Sequence, residues 1–148
     1  MISAQMVSAL DKTEDRLAEL RRQPFVDNAS RIEQLRHEKR VDGGGPNQLI
    51  NGTDGLIELI QYAKPTSIIE IGSWLGVSTE LFLAHDIPVT AVDPWPIDSV
   101  YNICMERCSR YPGFKYIRGF SPEALAQFAD CEFDMVYIDG DHHYRCVV

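Results

Sequence analysis

Glycines and acidic residues follow three of the predicted strands and together could form a ligand site. Gly72 and Gly76 come after the first strand, Asp93 after the second, and Asp139–His142 after the fourth. In open α/β sheets, the carboxyl ends of the strands form the edge where ligands bind. The glycines let the backbone approach a ligand, and the helix near Gly76 offers free N–H groups to an anion. Because a carboxylate at Asp93 can accept both hydroxyls of a ribose, this edge suits a nucleoside with a carboxylate or phosphate.

Glu70 is a carboxylate inside an otherwise apolar strand formed by Ile68, Ile69 and Ile71. Such a β-branched run is typical of a strand that is buried on both faces of a parallel sheet. A buried acid without a partner is costly, so Glu70 should either accept hydrogen bonds or hold a ligand.

The elements that position these residues alternate between strand and helix. The predicted strands are 67–71, 89–92, 115–118 and 133–138, and the predicted helices are 76–85, 98–110 and 122–128, the last capped by Ser121. An earlier helix is predicted to begin with Thr53 as its N-cap and to stop before Pro65. This alternation predicts right-handed βαβ units and a parallel sheet, and hence an α/β fold.

The chain is predicted to divide into a helical extension with a glycine-rich linker at 1–45 and a ligand-binding domain at 46–148. The extension contains a helix at 2–21, and Val41–Pro46 carries three glycines and a proline that cannot continue a helix. We expect the N-terminal helices to pack against the main domain or against another subunit.

A second N-terminal helix is predicted at about 30–40. Ser30 is its expected N-cap, and Glu33 completes a capping box. Ile32 and Leu35 are expected to face inward.

The net charge is −8, and the acidic excess falls after residue 40. An acidic body argues against a nucleic-acid partner, which needs a basic surface. No apolar run approaches transmembrane length, and the N-terminus has no apolar signal core. We therefore expect no membrane partner and a cytoplasmic location. The four cysteines lack Cys-x-x-Cys spacing. Cys104 and Cys108, one helical turn apart, are therefore expected to be small buried thiols rather than metal ligands.

The Glu-x-Gly-x-x-x-Gly-x-Ser pattern at residues 70–78 resembles motif I of the class I S-adenosylmethionine-dependent methyltransferases. A dinucleotide site would have Gly-x-Gly-x-x-Gly, whereas position 74 is Trp here and no third glycine follows. Asp93 lies where that family has its ribose-binding acid, and Gly119–Leu125 resembles the segment that borders the adenine. Asp134–Tyr144 is similar to the fourth-strand motif of small-molecule O-methyltransferases of the catechol and caffeoyl-CoA type and their bacterial relatives.

The resemblance covers about residues 46–145 and implies S-adenosylmethionine as the cofactor. It places five residues at the methionine end of that cofactor: Glu70, Gly72, Ser73, Gly76 and Ser78. It assigns Asp93 to the ribose, with Trp95 bordering the same pocket, and it assigns Phe120 and Ser121 to the adenine. For Trp95, a packing role in the core is the alternative.

The resemblance also implies two catalytic residues. Asp139 matches the aspartate beside the transferred methyl, and in metal-dependent members this residue is a metal ligand as well. His142 lies where catechol-type enzymes carry a lysine base, and a histidine suits deprotonation of a hydroxyl near neutral pH. The hypothesis is that His142 activates the hydroxyl of a small-molecule acceptor. Asp139 is the only candidate metal ligand, so this chain alone does not support a divalent metal.

The resemblance implies a Rossmann-like parallel sheet of seven strands in the order 3-2-1-4-5-7-6. This chain supplies the first four, expected in the order 3-2-1-4, so we expect it to lack part of the acceptor site. We therefore expect the chain to be the N-terminal part of a longer protein, or another subunit to cover the exposed fourth strand at Met135–Ile138. A homo-oligomer could form through that strand or through the N-terminal helices. Two alternative functions stay open: a non-catalytic nucleotide-binding or interaction module on the same half-fold, and an NAD-binding dehydrogenase domain, which Trp74 disfavours.

Overall fold

The computed structural model of the protein describes residues 26–37 and 52–140. The elements are α1 (Asn28–His37), α2 (Gly52–Ala63), β1 (Ile68–Ile71), α3 (Val77–Ala84), β2 (Val89–Asp93), α4 (Asp98–Cys108), β3 (Phe114–Arg118), α5 (Ser121–Leu125) and β4 (Met135–Ile138). From α2 onward they follow the predicted alternation. The predicted helix at 2–21, the glycine-rich segment at 41–46 and the domain boundary after residue 45 lie outside the described residues.

The four strands form one parallel sheet in the order β3-β2-β1-β4. Ile68 of β1 pairs with Val89 of β2 on one side and with Met135 of β4 on the other. This confirms the predicted α/β fold and strand order. Because the strands are parallel, Asp93 at the end of β2 and Asp139 after β4 lie at the same edge of the sheet as the end of β1.

The central strands are buried on both faces, as their β-branched composition predicts. The main core covers the face that carries Ile68 and Val89 and draws residues from α1, α2, α3 and α4. The opposite face carries a smaller cluster of Ile69, Val92 and Ala124, the last contributed by α5. Full burial of one such aliphatic side chain contributes roughly 1.5–3 kcal/mol. Because the fully buried strand residues belong to β1 and β2, these two strands contribute most of the sheet's burial energy.

Helix α1 packs onto the domain, which is the first of the two predicted arrangements. Leu35 is 2% exposed, and Ile32 packs against the same core. Arg31 is also buried, which the apolar pattern of the helix did not predict. Helix α1 is thus held by a charged side chain as well as by apolar ones.

Three predicted helix caps are wrong. Thr53 lies inside α2, which begins at Gly52, and is therefore not its N-cap. Helix α1 begins at Asn28, and the Asp27 carboxylate accepts hydrogen bonds from the Ser30 N–H at 3.0 Å and the Ser30 hydroxyl at 2.8 Å. Asp27 is therefore the cap, because it precedes the helix and its side chain accepts the free N–H of Ser30, the third helical residue. Helix α5 begins at Ser121 itself, with Phe120 at the N-cap and no side-chain cap hydrogen bond.

Strand β4 lies at one edge of the sheet, with Val136 57% exposed and Ile138 56% exposed. This matches the exposed apolar edge expected from the sequence. None of the helices in the described ranges is long and apolar enough to cross a membrane.

Replacement of the α1 cap separates the two assignments of Asp27 and Ser30. Asp27→Ala should lower the free energy of unfolding, because the Ser30 N–H loses its carboxylate cap. Ser30→Ala should cost less, since the Ser30 N–H still has its acceptor. Urea denaturation measures both values, and a larger loss for Ser30→Ala would contradict the assignment of Asp27.

Candidate functional site

The loop from Gly72 to Gly76 joins β1 to α3 and touches the end of β4. Gly72 has a φ of 89°, and a Cβ added there would lie 2.5 Å from both the Asp139 carbonyl oxygen and the Gly140 Cα. The Asp139 N–H also donates to the Ile71 carbonyl at 2.9 Å. Only glycine fits this position, because the backbones of the two strand ends approach so closely. The approach places Asp139 beside the loop.

Gly76 has a different reason to be glycine. Its φ is 74°, and an added Cβ would lie 2.8 Å from the Cys104 sulfur and 3.1 Å from the Cys108 sulfur. Both cysteines are free and buried, as the sequence predicted. Close approach of a ligand was the expected reason, whereas the structure shows that the start of α3 lies directly against α4.

Glu70 is completely buried beneath the loop. Its carboxylate accepts hydrogen bonds from the Ser73 hydroxyl at 3.0 Å and from the hydroxyls of Ser78 and Thr79. Burial raises the pKa of Glu70 to about 7, with a contribution from the nearby Asp139 charge, and the three hydroxyls oppose this shift. The structure therefore answers the sequence question with hydrogen-bond partners inside the protein. Thr79 was not predicted, although it follows Ser78 on the same helical turn.

Asp93 holds the loop from the side of β2. One carboxylate oxygen accepts the Trp74 N–H at 3.0 Å, and the other accepts the Trp95 N–H at 2.6 Å. The residue is 6% exposed. Asp93 thus lies at the predicted edge and ties the β1–α3 loop to the segment that follows β2.

The two tryptophans are linked to each other but differ in exposure. The Trp95 indole N–H donates to the Trp74 carbonyl at 2.8 Å, and the Trp95 ring is 0% exposed between Tyr101 and Tyr116. This placement is the packing alternative for Trp95 and does not favour the predicted cofactor contact, which stays untested. Trp74 is 43% exposed at the loop. Its position between the two motif glycines was a signal that it lines the site.

Phe120 and Ser121 lie on the turn after β3. The Gly119 N–H donates to the Asp93 carbonyl at 3.0 Å, which holds this turn beside the end of β2. Phe120 is 68% exposed, and Ser121 is partly exposed at the start of α5. An exposed aromatic ring on a turn that is hydrogen-bonded to the Asp93 backbone is suited to border an adenine, and the adenine contacts stay predictions.

Asp139 is partly buried where β4 ends, on the other side of β1 from Asp93. The predicted base, His142, lies outside the described residues, so the pair cannot be compared in space. Across residues 26–37 and 53–140, no cluster of three or more His, Cys, Asp or Glu side chains could hold a metal ion. Asp139 keeps its place as the only candidate ligand from the sequence.

Substitution of the two types of glycine should have opposite effects on stability. Gly72→Ala puts a methyl group against backbone atoms at a positive φ, where neither side can yield easily, and should lower the unfolding free energy by about 2 kcal/mol or more. Gly55→Ala in α2 meets nothing within 4 Å and should raise it by about 0.5–1 kcal/mol. Thermal and urea denaturation measure both, and a harmless Gly72→Ala would contradict the close approach of β1 and β4.

Glu70 should make stability depend on pH. Its folded pKa of about 7 lies above the ordinary value of 4.5, so its contribution to stability is complete below about pH 4.5 and is lost as the pH rises through 7. At about 1.4 kcal/mol per pKa unit, the loss is on the order of 3 kcal/mol. Glu70→Gln should remove this part of the dependence in urea denaturation between about pH 4 and 8.

The matched control is Glu58→Gln, which changes an exposed glutamate of α2. It should keep the wild-type pH dependence. Parallel curves for wild type and Glu70→Gln would show that the Glu70 proton is not linked to folding.

Comparisons with known proteins agree with this architecture. A family model described as a methyltransferase domain matches residues 69–148, just over half of the chain. No curated protein matches the chain significantly. A predicted O-methyltransferase from Klebsiella pneumoniae superposes with a TM-score of 0.55 at 19% identity, over 80% of this chain and 55% of that one.

Two further solved structures have the same fold. The Podospora anserina methyltransferase PaMTH1, solved with SAH bound, gives a TM-score of 0.54 at 19% identity over 87% of this chain and 58% of its own. A predicted caffeoyl-CoA O-methyltransferase from Staphylococcus aureus gives 0.54 at 22% identity over 86% and 59%. The chain thus spans somewhat over half the length of these proteins. From its strand order and the family match, the chain belongs to the methyltransferase domain family.

Proposed function

We propose that the chain binds S-adenosylmethionine at the carboxyl edge of its sheet and serves an enzyme that methylates a hydroxyl of a small molecule. The observation that carries the proposal is the meeting of three features at that edge. The Gly72–Gly76 loop lies between Asp93 on one side and Asp139 on the other. Family membership supports methyl transfer, and the SAH in the related PaMTH1 structure supports the cofactor.

The residues at this edge fit the parts of the cofactor. Each Asp93 oxygen accepts one backbone N–H, and because a carboxylate oxygen has two lone pairs, each can still accept a ribose hydroxyl. The first turn of α3 offers backbone N–H groups to the carboxylate of the methionine end. The exposed Phe120 ring can border the adenine.

The cofactor supplies a methyl group activated on a sulfonium, so the protein contributes mainly position and charge. A carboxylate at Asp139 would lie on the acceptor side of the loop, where it can orient a donor group. His142 would take the proton of the acceptor hydroxyl while a C–O bond forms and the S–C bond breaks. Hydroxyl acceptors follow from the resemblance to O-methyltransferases and from the names of two structural neighbours.

The partners and location are proposals of the same kind. The acidic body favours a small-molecule acceptor over nucleic acid. The exposed side chains of Val136 and Ile138 make the β4 edge the candidate contact for a second copy. The free thiols of Cys104 and Cys108 suit a reducing compartment such as the cytoplasm.

Calorimetry with SAH, S-adenosylmethionine and NAD tests the proposal first. We expect the two sulfur compounds to bind and NAD not to bind. Methyl transfer from labelled S-adenosylmethionine to a panel of catechols and other small hydroxyl compounds then tests catalysis. Binding of NAD alone would overturn the proposal in favour of a dehydrogenase domain. Cofactor binding with no turnover on any acceptor, by this chain and by a longer protein that carries the remaining strands of the fold, would favour a non-catalytic module.

Asp93→Asn tests the role of Asp93 in cofactor binding, both through the ribose and through its bonds to the loop, without removing the side chain. The loss of charge-assisted hydrogen bonds, worth about 1.5–3 kcal/mol, should weaken the binding of SAH about 10- to 150-fold, as measured by calorimetry. The control is Asp98→Asn, which neutralises an exposed aspartate of the same edge that pairs with Arg118. It should leave the affinity nearly unchanged, and equal affinities for all three proteins would remove Asp93 from the site.

A further inference from the structure

A network of buried charges joins three helices behind the loop. Glu80 of α3 is 0% exposed, and both its oxygens accept from Arg31 of α1, each at 2.7 Å. Arg107 of α4, 1% exposed, donates to the same carboxylate at 2.9 Å. The Tyr111 hydroxyl donates to it as well, at 3.2 Å. The network therefore fixes α1 and α4 relative to the helix that starts at the loop.

The network reaches the loop itself through Arg107. The Nε–H of Arg107 donates to the Leu75 carbonyl at 3.0 Å, while its Nη1 is engaged by Glu80. Leu75 directly precedes Gly76, the N-cap of α3. A guanidinium is planar, so fixing one edge on Glu80 sets the direction in which the other edge holds the carbonyl. The position of the loop backbone thus depends on a carboxylate that lies in α3, and on an arginine of α1 that orients this carboxylate.

Stability alone does not explain such an arrangement. Moving charges out of water is costly, and a well-packed apolar cluster of similar volume is often as stable or more so. What a bidentate arginine–carboxylate pair adds is geometric definition. Here the pair fixes the loop between Gly72 and Gly76 at the Leu75 carbonyl, and Asp93 fixes the same loop at the backbone N–H of Trp74.

We propose that Glu80, Arg31 and Arg107 are positioning residues for the Gly72–Gly76 loop, and that α1 contributes to cofactor affinity through them without touching the cofactor. The proposal rests on the proposed function of the loop as an S-adenosylmethionine site. According to this proposal, α1 supports the cofactor site indirectly. Arg31 lies 49 residues before Glu80 and is linked to the loop through that carboxylate.

Conservative arginine variants test the proposal. Arg107→Lys keeps the charge but cannot serve both Glu80 and Leu75, and Arg31→Lys loses the bidentate geometry. Loss of one hydrogen bond to a charged group corresponds to about a tenfold change in affinity, so the Kd of SAH should rise by that order for Arg107→Lys and by less for Arg31→Lys. The control is Ile60→Val, a buried α2 side chain outside the network, which lowers stability but should leave the Kd unchanged.

Affinities are compared only under conditions in which denaturation curves show that each protein is fully folded. A Kd for Arg107→Lys equal to that of Ile60→Val would overturn the proposal and leave the network a purely structural role. If the arginine variants do not fold, the wild-type protein provides the test by hydrogen exchange. Because coupling is reciprocal, SAH should slow amide exchange in α1 as well as in the loop. Protection confined to the loop would then contradict the proposal.

Tryptophan fluorescence separates this proposal from the proposed function. The chain has two tryptophans. Trp74 lies in the loop, and the Trp95 indole is hydrogen-bonded to the Trp74 carbonyl. Without any ligand, Arg107→Lys should shift their emission to longer wavelength as the loop loosens, and Ile60→Val should not. If wild type fails to bind SAH, the proposed function fails, while the emission shift still tests whether the network positions the loop. Unchanged tryptophan emission in Arg107→Lys would contradict the positioning role of the network.

Discussion

The carboxylate of Asp93 accepts the backbone N–H groups of Trp74 and Trp95 and so ties the end of β2 to the loop that follows β1. The proposed site depends on these hydrogen bonds, because the bond from Trp74 joins the loop after β1 to the end of β2 and the bond from Trp95 fixes the segment that follows β2. The Trp95 indole strengthens the same connection through the Trp74 carbonyl. A side chain that was expected to serve a ligand therefore also builds the place where the ligand would bind.

The other supports of the loop are polar as well. Glu70 lies beneath it with three hydroxyl donors, and Arg107 holds the Leu75 carbonyl from the side of α4. Each of these buried groups has partners, which is the condition for a buried polar group to be tolerated. A loop fixed by directional bonds is pre-organised, so less conformational entropy is lost when a ligand binds. This explains why so much charge lies close to a loop of five residues.

The sequence predicted the features that depend on local pattern. The β-branched run at Ile68–Ile71 gave a buried strand, the alternation of elements gave a parallel sheet, and the strand ends brought Asp93 and Asp139 to one edge. Long-range contacts were not predictable in this way. The pairing of Arg31 with Glu80 spans 49 residues, and nothing in the spacing of either residue indicates the other.

Local chemistry also misled the prediction where two neighbours could play one role. Both Asp27 and Ser30 are good cap residues, and only the observed start of α1 shows that Asp27 accepts the hydrogen bonds. Gly76 suggested a ligand because its type permits close approach, but the group that approaches is a thiol of α4. A glycine shows that something lies close to the backbone and does not identify what it is.

The most direct test of the central claim is a crystal structure of the protein with SAH bound. The expected result is a ribose whose hydroxyls lie against the Asp93 carboxylate, with the amino-acid end of SAH against the loop between Gly72 and Gly76. SAH bound away from this edge, or bound there with the ribose turned from Asp93, would contradict the assignment of the site.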